Sequence, residues 1–319
     1  MKKTSWIFVA GTAVGAAVAA KTVADFRREQ RVALAILRGR SQVIDTACGP
    51  IEYAAEGEGP AVLMIHGAAG GYDQGFALAR LFSLDGFRLI NISRPGYLRT
   101  PLASGRTPEA MADLYAALLD ALNLSKAAIA GLSAGGPSSL QFALRHPDRC
   151  WGLIMLSAVN QTLPTLPPTV RLLQPVFNYS SFGTWLLNKL AWRLTVQILG
   201  VGPELLRRLE REPQKISAIH SLLEVSTTLD LRRAGIFNDI DIITELALPP
   251  VERIRAPTLV VHCPADPLVP FAQGQTLAER VPGAKLIPVE DGGHLCVVTH
   301  SEQVVRELME FLTQHASQT

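Results

Sequence analysis

Gly131-Leu132-Ser133-Ala134-Gly135 is the stretch on which the fold turns. Before it, Lys126–Ala130 (Lys-Ala-Ala-Ile-Ala) reads as a short buried strand, and after it Ala134–Arg145 reads as a helix that stops before His146-Pro147. Glycine-x-serine-x-glycine between a strand and a helix predicts a sharp turn. Such a turn holds its serine in strained backbone geometry, with the hydroxyl raised above the sheet. Side chains at 131 and 135 would collide with the neighbouring strand and helix, so glycine is required at both. The five-letter pattern alone is common. Its strand-turn-helix setting makes Ser133 a candidate nucleophile.

Outward from that turn the chain alternates. Val43–Ala47 and Ile51–Ala55 flank Cys48-Gly49-Pro50 and suggest an antiparallel hairpin. Strands are expected at Ala61–Ile65, Phe87–Ile92 and Trp151–Ser157, with helices at Gln74–Leu84 and Pro108–Leu122. Thr107 is the N-cap of the second helix and Pro108 its first residue. Continuous apolar strands between amphipathic helices imply an α/β fold with a mostly parallel central sheet and helices on both faces.

The alternation stops near Ala158 and resumes at Thr258–Cys263, followed by helix Phe271–Val281, strand Lys285–Val289 and helix Val297–Gln314. Between them the helical pieces Phe182–Ile198, Pro203–Glu212 and Gln214–Leu229 follow an irregular entry rich in proline (164, 167, 168 and 175). This is an inserted helical cap over the crevice at the strand ends, where ligands of open α/β sheets bind. The expected division is an N-terminal segment 1–24, a core of 25–157 and 251–319, and a cap of 158–250. The cap's apolar residues (Trp185, Leu186, Leu187, Leu190, Trp192, Leu194, Val196, Ile198 and Leu199) either pack on the sheet or line a lipophilic pocket.

Three other strand-end loops carry candidate chemistry. His66-Gly67-Ala68-Ala69-Gly70-Gly71 is a glycine-rich turn whose backbone N–H groups can converge above the sheet. The N–H groups of Ala68 and Ala134 are the expected oxyanion-hole pair. His66, at a strand end, is read as a structural hydrogen-bonding residue and not as a base. Asp266 lies on the loop after Thr258–Cys263, placed to accept a hydrogen bond from a histidine ring. His294 ends Asp291-Gly292-Gly293-His294, on a tight turn from which it can reach back towards a serine. A lone histidine is commonly structural. Serine, aspartate and histidine in that order, each at a strand end, are much harder to obtain by accident. Asp239 is a second candidate acid, but within the insertion a helix-capping or salt-bridging role fits it better. Asp291, three residues from His294, is read as a turn residue.

These residues resemble the α/β-hydrolase family over about residues 40–315. The resemblance rests on His66-Gly67, the elbow Gly131–Gly135, Asp266 with Val269-Pro270, Gly292-Gly293-His294, and Ser93-Arg94-Pro95-Gly96-Tyr97. It implies an α/β-hydrolase fold with a helical cap, and a serine mechanism. Ser133 attacks a carbonyl, His294 takes its proton, and Asp266 orients and stabilises the imidazolium. The oxyanion loop lacks the triple-glycine form, so the resemblance favours relatives with one donor per loop.

Ester hydrolysis of a lipophilic small molecule through an acyl-enzyme on Ser133 is the leading expectation, with no metal or organic cofactor. Carbon–carbon bond hydrolysis and cofactor-free haloperoxidase or perhydrolase chemistry use the same triad. A non-catalytic, membrane-tethered lipid-binding protein is the reading from another class. The 319 residues, 48% apolar and 18% charged, suit a globular protein with a large core. A net charge of +2 with no long basic run excludes a nucleic-acid-binding surface.

Lys2-Lys3 precede an uncharged run, Thr4–Ala20, that Lys21 closes. Its length is at the lower end of the roughly 17–25 residues that span a bilayer. A basic start and Ala17-Val18-Ala19 also fit a secretory signal. Residues 1–24 are therefore expected to be a signal or membrane anchor, with the N-terminus cytoplasmic and the main domain exported or anchored on the far side. Asp25–Arg38 reads as a polar helical linker. The cysteines (48, 150, 263 and 296) show no zinc spacing, and Cys48, Cys150 and Cys263 are expected as buried thiols in strands.

Overall fold

A computed structural model describes residues 3–82, 84–163 and 168–316, with the side chains of 3–14, 79, 80, 169 and 170 excepted. Eight strands form one sheet: β1 (Gln42–Thr46), β2 (Gly49–Glu56), β3 (Ala61–Ile65), β4 (Arg88–Ile92), β5 (Ala127–Leu132), β6 (Cys150–Leu156), β7 (Thr258–His262) and β8 (Lys285–Pro288). Their spatial order is β1-β2-β4-β3-β5-β6-β7-β8. β2 runs antiparallel to β1 and β4, and every pairing from β4 through β3 to β8 is parallel. The chain thus has the mostly parallel sheet that its apolar strands require.

Period-two alternation decides which face each strand residue feeds. Val62, Met64, Ala128, Ala130, Leu259 and Val261 enter one apolar cluster. Their neighbours Ala61, Leu63, Ile65, Ala127, Ile129 and Val260 enter the other. Both faces are covered, which is why these strands are apolar throughout and not alternating. The first cluster is closed by α2 (Tyr72–Phe82) and α12 (Ser301–Ala316), and the second by α3 (Pro108–Ala121), α4 (Gly136–Arg145) and α10 (Phe271–Arg280). Thr107 caps α3 as expected, its side chain accepting from the Ala110 N–H. The last helical stretch is broken at His300: α11 (Cys296–Thr299) precedes α12.

Between β6 and β7 stand α5 (Pro168–Tyr179), α6 (Ser181–Ile198), α7 (Pro203–Leu209), α8 (Pro213–Glu224), a 3-10 segment (Val225–Leu231) and α9 (Arg233–Thr244). Two of these, α5 and α9, are absent from the sequence expectation. Pro164 and Pro167 of the proline cluster lie outside the described residues, whereas Pro168 starts α5 and Pro175 sits inside it. The apolar side chains of the insertion divide between uses. Val196 lies in the core, Trp192 and Leu199 pack against it, and Leu190 and Leu194 face solvent.

Two expectations need correction. The stretch read as a linker belongs to α1 (Lys3–Gly39), and its described part is docked on the insertion. Phe26 meets Phe182 edge-on at 5.4 Å, Trp185 Nε1 donates to Glu29 at 2.8 Å, and Gln30 Nε2 donates to the Thr227 carbonyl at 2.9 Å. A ring contact and side-chain hydrogen bonds together hold it there. Cys48 is an exposed turn residue between β1 and β2, because the hairpin turn extends over it, and Cys263 lies just past β7. No helix among the described residues is long and apolar enough to cross a membrane. The side chains of Thr4–Gly11 and of Thr12–Val14, much of the apolar run, lie outside the described residues.

Candidate active site

Ser133 follows β5 directly and has φ +49°, the left-handed region that a non-glycine residue enters only under constraint. The constraint is visible on both sides. A Cβ at Gly131 would strike the Ser139 side chain of α4. One at Gly135 would sit 2.6 Å from the Ile65 carbonyl oxygen at the end of β3. The chain can make this turn only with glycine at both places.

The loop after β8 supplies His294. Gly292 (φ +94°) and Gly293 (φ +55°) turn the backbone tightly, and the His294 N–H donates to the Leu199 carbonyl at 2.8 Å. Gly200 of the insertion fits against Gly293 so closely that a Cβ on either would overlap the other's backbone. The loop after β7 supplies Asp266, whose Oδ1 accepts from the Leu268 and Val269 N–H groups at 2.8 and 3.0 Å.

Ser133, His294 and Asp266 meet in one line. His294 Nε2 is 2.9 Å from Ser133 Oγ, and its Nδ1 is 2.8 Å from Asp266 Oδ2. With Asp266 ionised, Nδ1 carries the proton and Nε2 is the acceptor for the serine hydroxyl. Burial pushes the Asp266 carboxyl up, but His262 and His294 more than offset it and hold it well below the ordinary carboxylate range. Among the other nucleophilic candidates, burial pushes the Cys150 and Cys296 thiols up to about 12, so neither competes as a thiolate.

The glycine-rich loop abuts the elbow: a Cβ on Gly67 would lie 3.1 Å from Ser133 Cβ. Ala68 follows it, and Ala134 follows the serine. His66 sits behind this loop, 4% exposed, with Nδ1 2.7 Å from the Gly67 carbonyl oxygen and Nε2 accepting the Arg94 N–H at 2.9 Å. Burial and the Arg94 charge press its pKa well below the usual imidazole value. A neutral ring with its proton on Nδ1 satisfies both bonds, a structural part and not that of a base.

Behind the loop are residues that local patterns did not single out for this purpose. Arg94, from the loop after β4, donates to Gly67 O at 3.2 Å and forms a two-pronged pair with Asp239 of α9, both contacts 2.7 Å. Arg232 of the insertion donates to Gly70 O and pairs with Asp73 of α2 at 3.0 and 2.7 Å. Both arginines are buried. Asp239 is therefore salt-bridged and is not part of the triad, and Asp291 faces His300 at 3.1 Å. His262, fully buried at the end of β7, donates to the Val269 carbonyl at 2.9 Å and lies 3.6 Å from Asp266. The sequence signal for Arg94 was the loop Ser93–Tyr97; for Arg232 and His262 there was none.

Comparison with known proteins bears on the fold. The family profile described as alpha/beta hydrolase fold matches residues 60–301. An uncharacterized hydrolase, YcgS, of Bacillus subtilis is 27% identical over 81% of this chain and 93% of its own length. The 2-hydroxy-6-oxo-6-phenylhexa-2,4-dienoate hydrolase of Comamonas testosteroni is 24% identical over 83% of this chain and 91% of its own. Among solved structures, an alpha/beta hydrolase fold protein from Nakamurella multipartita superposes with a TM-score of 0.76 at 33% identity, covering 87% of this chain and 99% of that one.

Proposed function

Because this chain belongs to the α/β-hydrolase fold family, we propose that it is a serine hydrolase cleaving carboxylic esters of lipophilic substrates. The observation that carries the reading is the unbroken line from Ser133 Oγ through His294 to Asp266, at 2.9 and 2.8 Å. As Ser133 Oγ attacks the ester carbonyl, its proton passes to His294 Nε2. Asp266, kept ionised, stabilises the imidazolium and fixes the ring. The developing oxyanion lies against the N–H groups of Ala68 and Ala134, and loss of one such donor costs about 2.7–4 kcal/mol in comparable sites. His294 then protonates the leaving alcohol, and water activated by the same ring releases the acyl group.

Labelling by a fluorophosphonate, together with p-nitrophenyl esters of increasing chain length, tests this reading. Wild-type protein labels at Ser133 and turns over the longer esters faster, whereas Ser133→Ala does neither. Full turnover by Ser133→Ala overturns it. Relatives named as dienoate hydrolases favour a second reading, hydrolysis of a carbon–carbon bond next to a ketone. Turnover of a dienoate diketone in place of esters would select it. For localisation, the reading is membrane-anchored or exported through residues 1–24, and recovery of the full chain as soluble cytosolic protein refutes it.

A further inference from the structure

We propose that Asp239, an insertion residue outside the triad, is a positioning residue for the oxyanion site, acting through Arg94 on the peptide unit between Gly67 and Ala68. The proposal rests on the serine-hydrolase reading above.

A trans peptide is planar, so its C=O and N–H point in opposite directions. The Gly67 carbonyl takes three contacts on one side: His66 Nδ1 at 2.7 Å, Arg94 Nη2 at 3.2 Å and the Gly70 N–H at 3.2 Å. Whatever aims that carbonyl also aims the Ala68 N–H the other way. The Gly67 backbone in turn lies against Ser133, so that a Cβ on it would crowd Ser133 Cβ at 3.1 Å.

Arg94 cannot set this direction by itself. Its Nε has no hydrogen-bond partner, so the rotation of its guanidinium is fixed by the two prongs on Asp239, each 2.7 Å. Asp239 is fixed in turn by the Tyr97 hydroxyl, and the Tyr97 ring packs edge-on against His66 at 4.6 Å. α9 is docked to the same loop by the Gly235 N–H, which donates to Gly96 O at 2.9 Å, and a Cβ on Gly235 would overlap the Tyr97 ring. The insertion therefore supplies the counter-charge that orients the donor peptide.

The molecule contains its own control. Arg232–Asp73 is also a two-pronged pair between insertion and core, its arginine buried and its aspartate partly exposed. Its arginine grips Gly70 O, whose peptide partner is the Gly71 N–H and not that of Ala68. The two pairs resemble each other in form and differ in what they aim.

The test compares Asp239→Asn and Arg94→Lys with Asp73→Asn and Arg232→Lys. Readouts are kcat and KM on one ester, affinity for an alkyl boronic acid that forms a tetrahedral adduct on the serine, and Tm. Asp239→Asn and Arg94→Lys are expected to lose about 100-fold in kcat with KM little changed, since small misplacements of catalytic groups have effects of that order. Boronate affinity should fall in parallel. The control pair should also lose Tm but retain kcat. Equal kcat losses in all four variants, or wild-type kcat in folded Asp239→Asn, overturn the proposal. Should Asp239→Asn fail to fold, Tyr97→Phe keeps the ion pair and removes one bond to Asp239; it should lower kcat and boronate affinity together, and unchanged values overturn the proposal. A wild-type protein that neither hydrolyses esters nor takes the fluorophosphonate overturns the hydrolase reading instead.

Discussion

The elbow at Gly131–Gly135 and the insertion between β6 and β7 are held by contacts of different reach. The elbow is steric and local: glycines stand where the Ser139 side chain and the Ile65 carbonyl leave no space for a Cβ. The insertion packs apolar residues such as Val196 and Leu206 into the core and is also tied down by long-range charge, through Arg94–Asp239 and Arg232–Asp73, whose partners lie 145 and 159 residues apart. A steric device tolerates no substitution but is indifferent to pH and salt. A buried ion pair is costly to break on one side, because the remaining charge is left without a partner. The two regions therefore fail in different ways.

The largest effect should come from the elbow itself. Ser133→Ala should reduce kcat by about 10⁶-fold, as loss of a serine nucleophile does elsewhere, while thermal unfolding shows the fold kept. Asp239→Asn comes next. It should destabilise the protein by about 3–5 kcal/mol, measured by urea unfolding, as expected when one partner of a buried pair is neutralised. Gly135→Ala should cost about 1–3 kcal/mol by overpacking, since the clash is with backbone that cannot swing aside. Should Gly135→Ala prove as stable as wild type, the steric account of the elbow is wrong.

Asp266 gives the comparison a pH axis. Its folded-state pKa is depressed below the ordinary 3.8, so its contribution to stability is complete above that value and is lost as pH falls below it. The urea midpoint of Asp266→Asn should lie below wild type at about pH 7, and the gap should narrow towards about pH 3. An equal gap at both pH values would show that Asp266 matters for shape alone. The smallest effect is expected far from both regions. Thr107→Ala removes the cap on α3, whose hydroxyl accepts from Ala110 at 3.2 Å, and should cost about 1 kcal/mol with kcat unchanged.

What could be read from the sequence follows the same division. Strands β3 to β8 and the order of the strand-end loops were legible because buried parallel strands are continuously apolar and glycine turns have few substitutes. α5 and α9 were not. Pro175 inside α5 and Gly235 inside α9 look like helix breakers. In the folded chain Gly235 is instead a contact residue that lets the Tyr97 ring approach. The docking of α1 was hidden for a similar reason: Phe26 stands among charged residues, and its partners Phe182 and Trp185 lie far along the chain. The juxtaposition of Ser133, Asp266 and His294 followed from strand ends alone. The arginines behind the glycine-rich loop needed the three-dimensional arrangement, because no local pattern pairs residue 94 with residue 239.

The positive φ at Ser133 also bears on how such a protein responds to selection for heat tolerance alone. A left-handed backbone costs a non-glycine residue about 1–2 kcal/mol, and glycine would relieve it at +49°. A population screened only for survival of the fold would accumulate glycine at 133 and discard the hydroxyl, a loss that thermal endurance alone does not oppose.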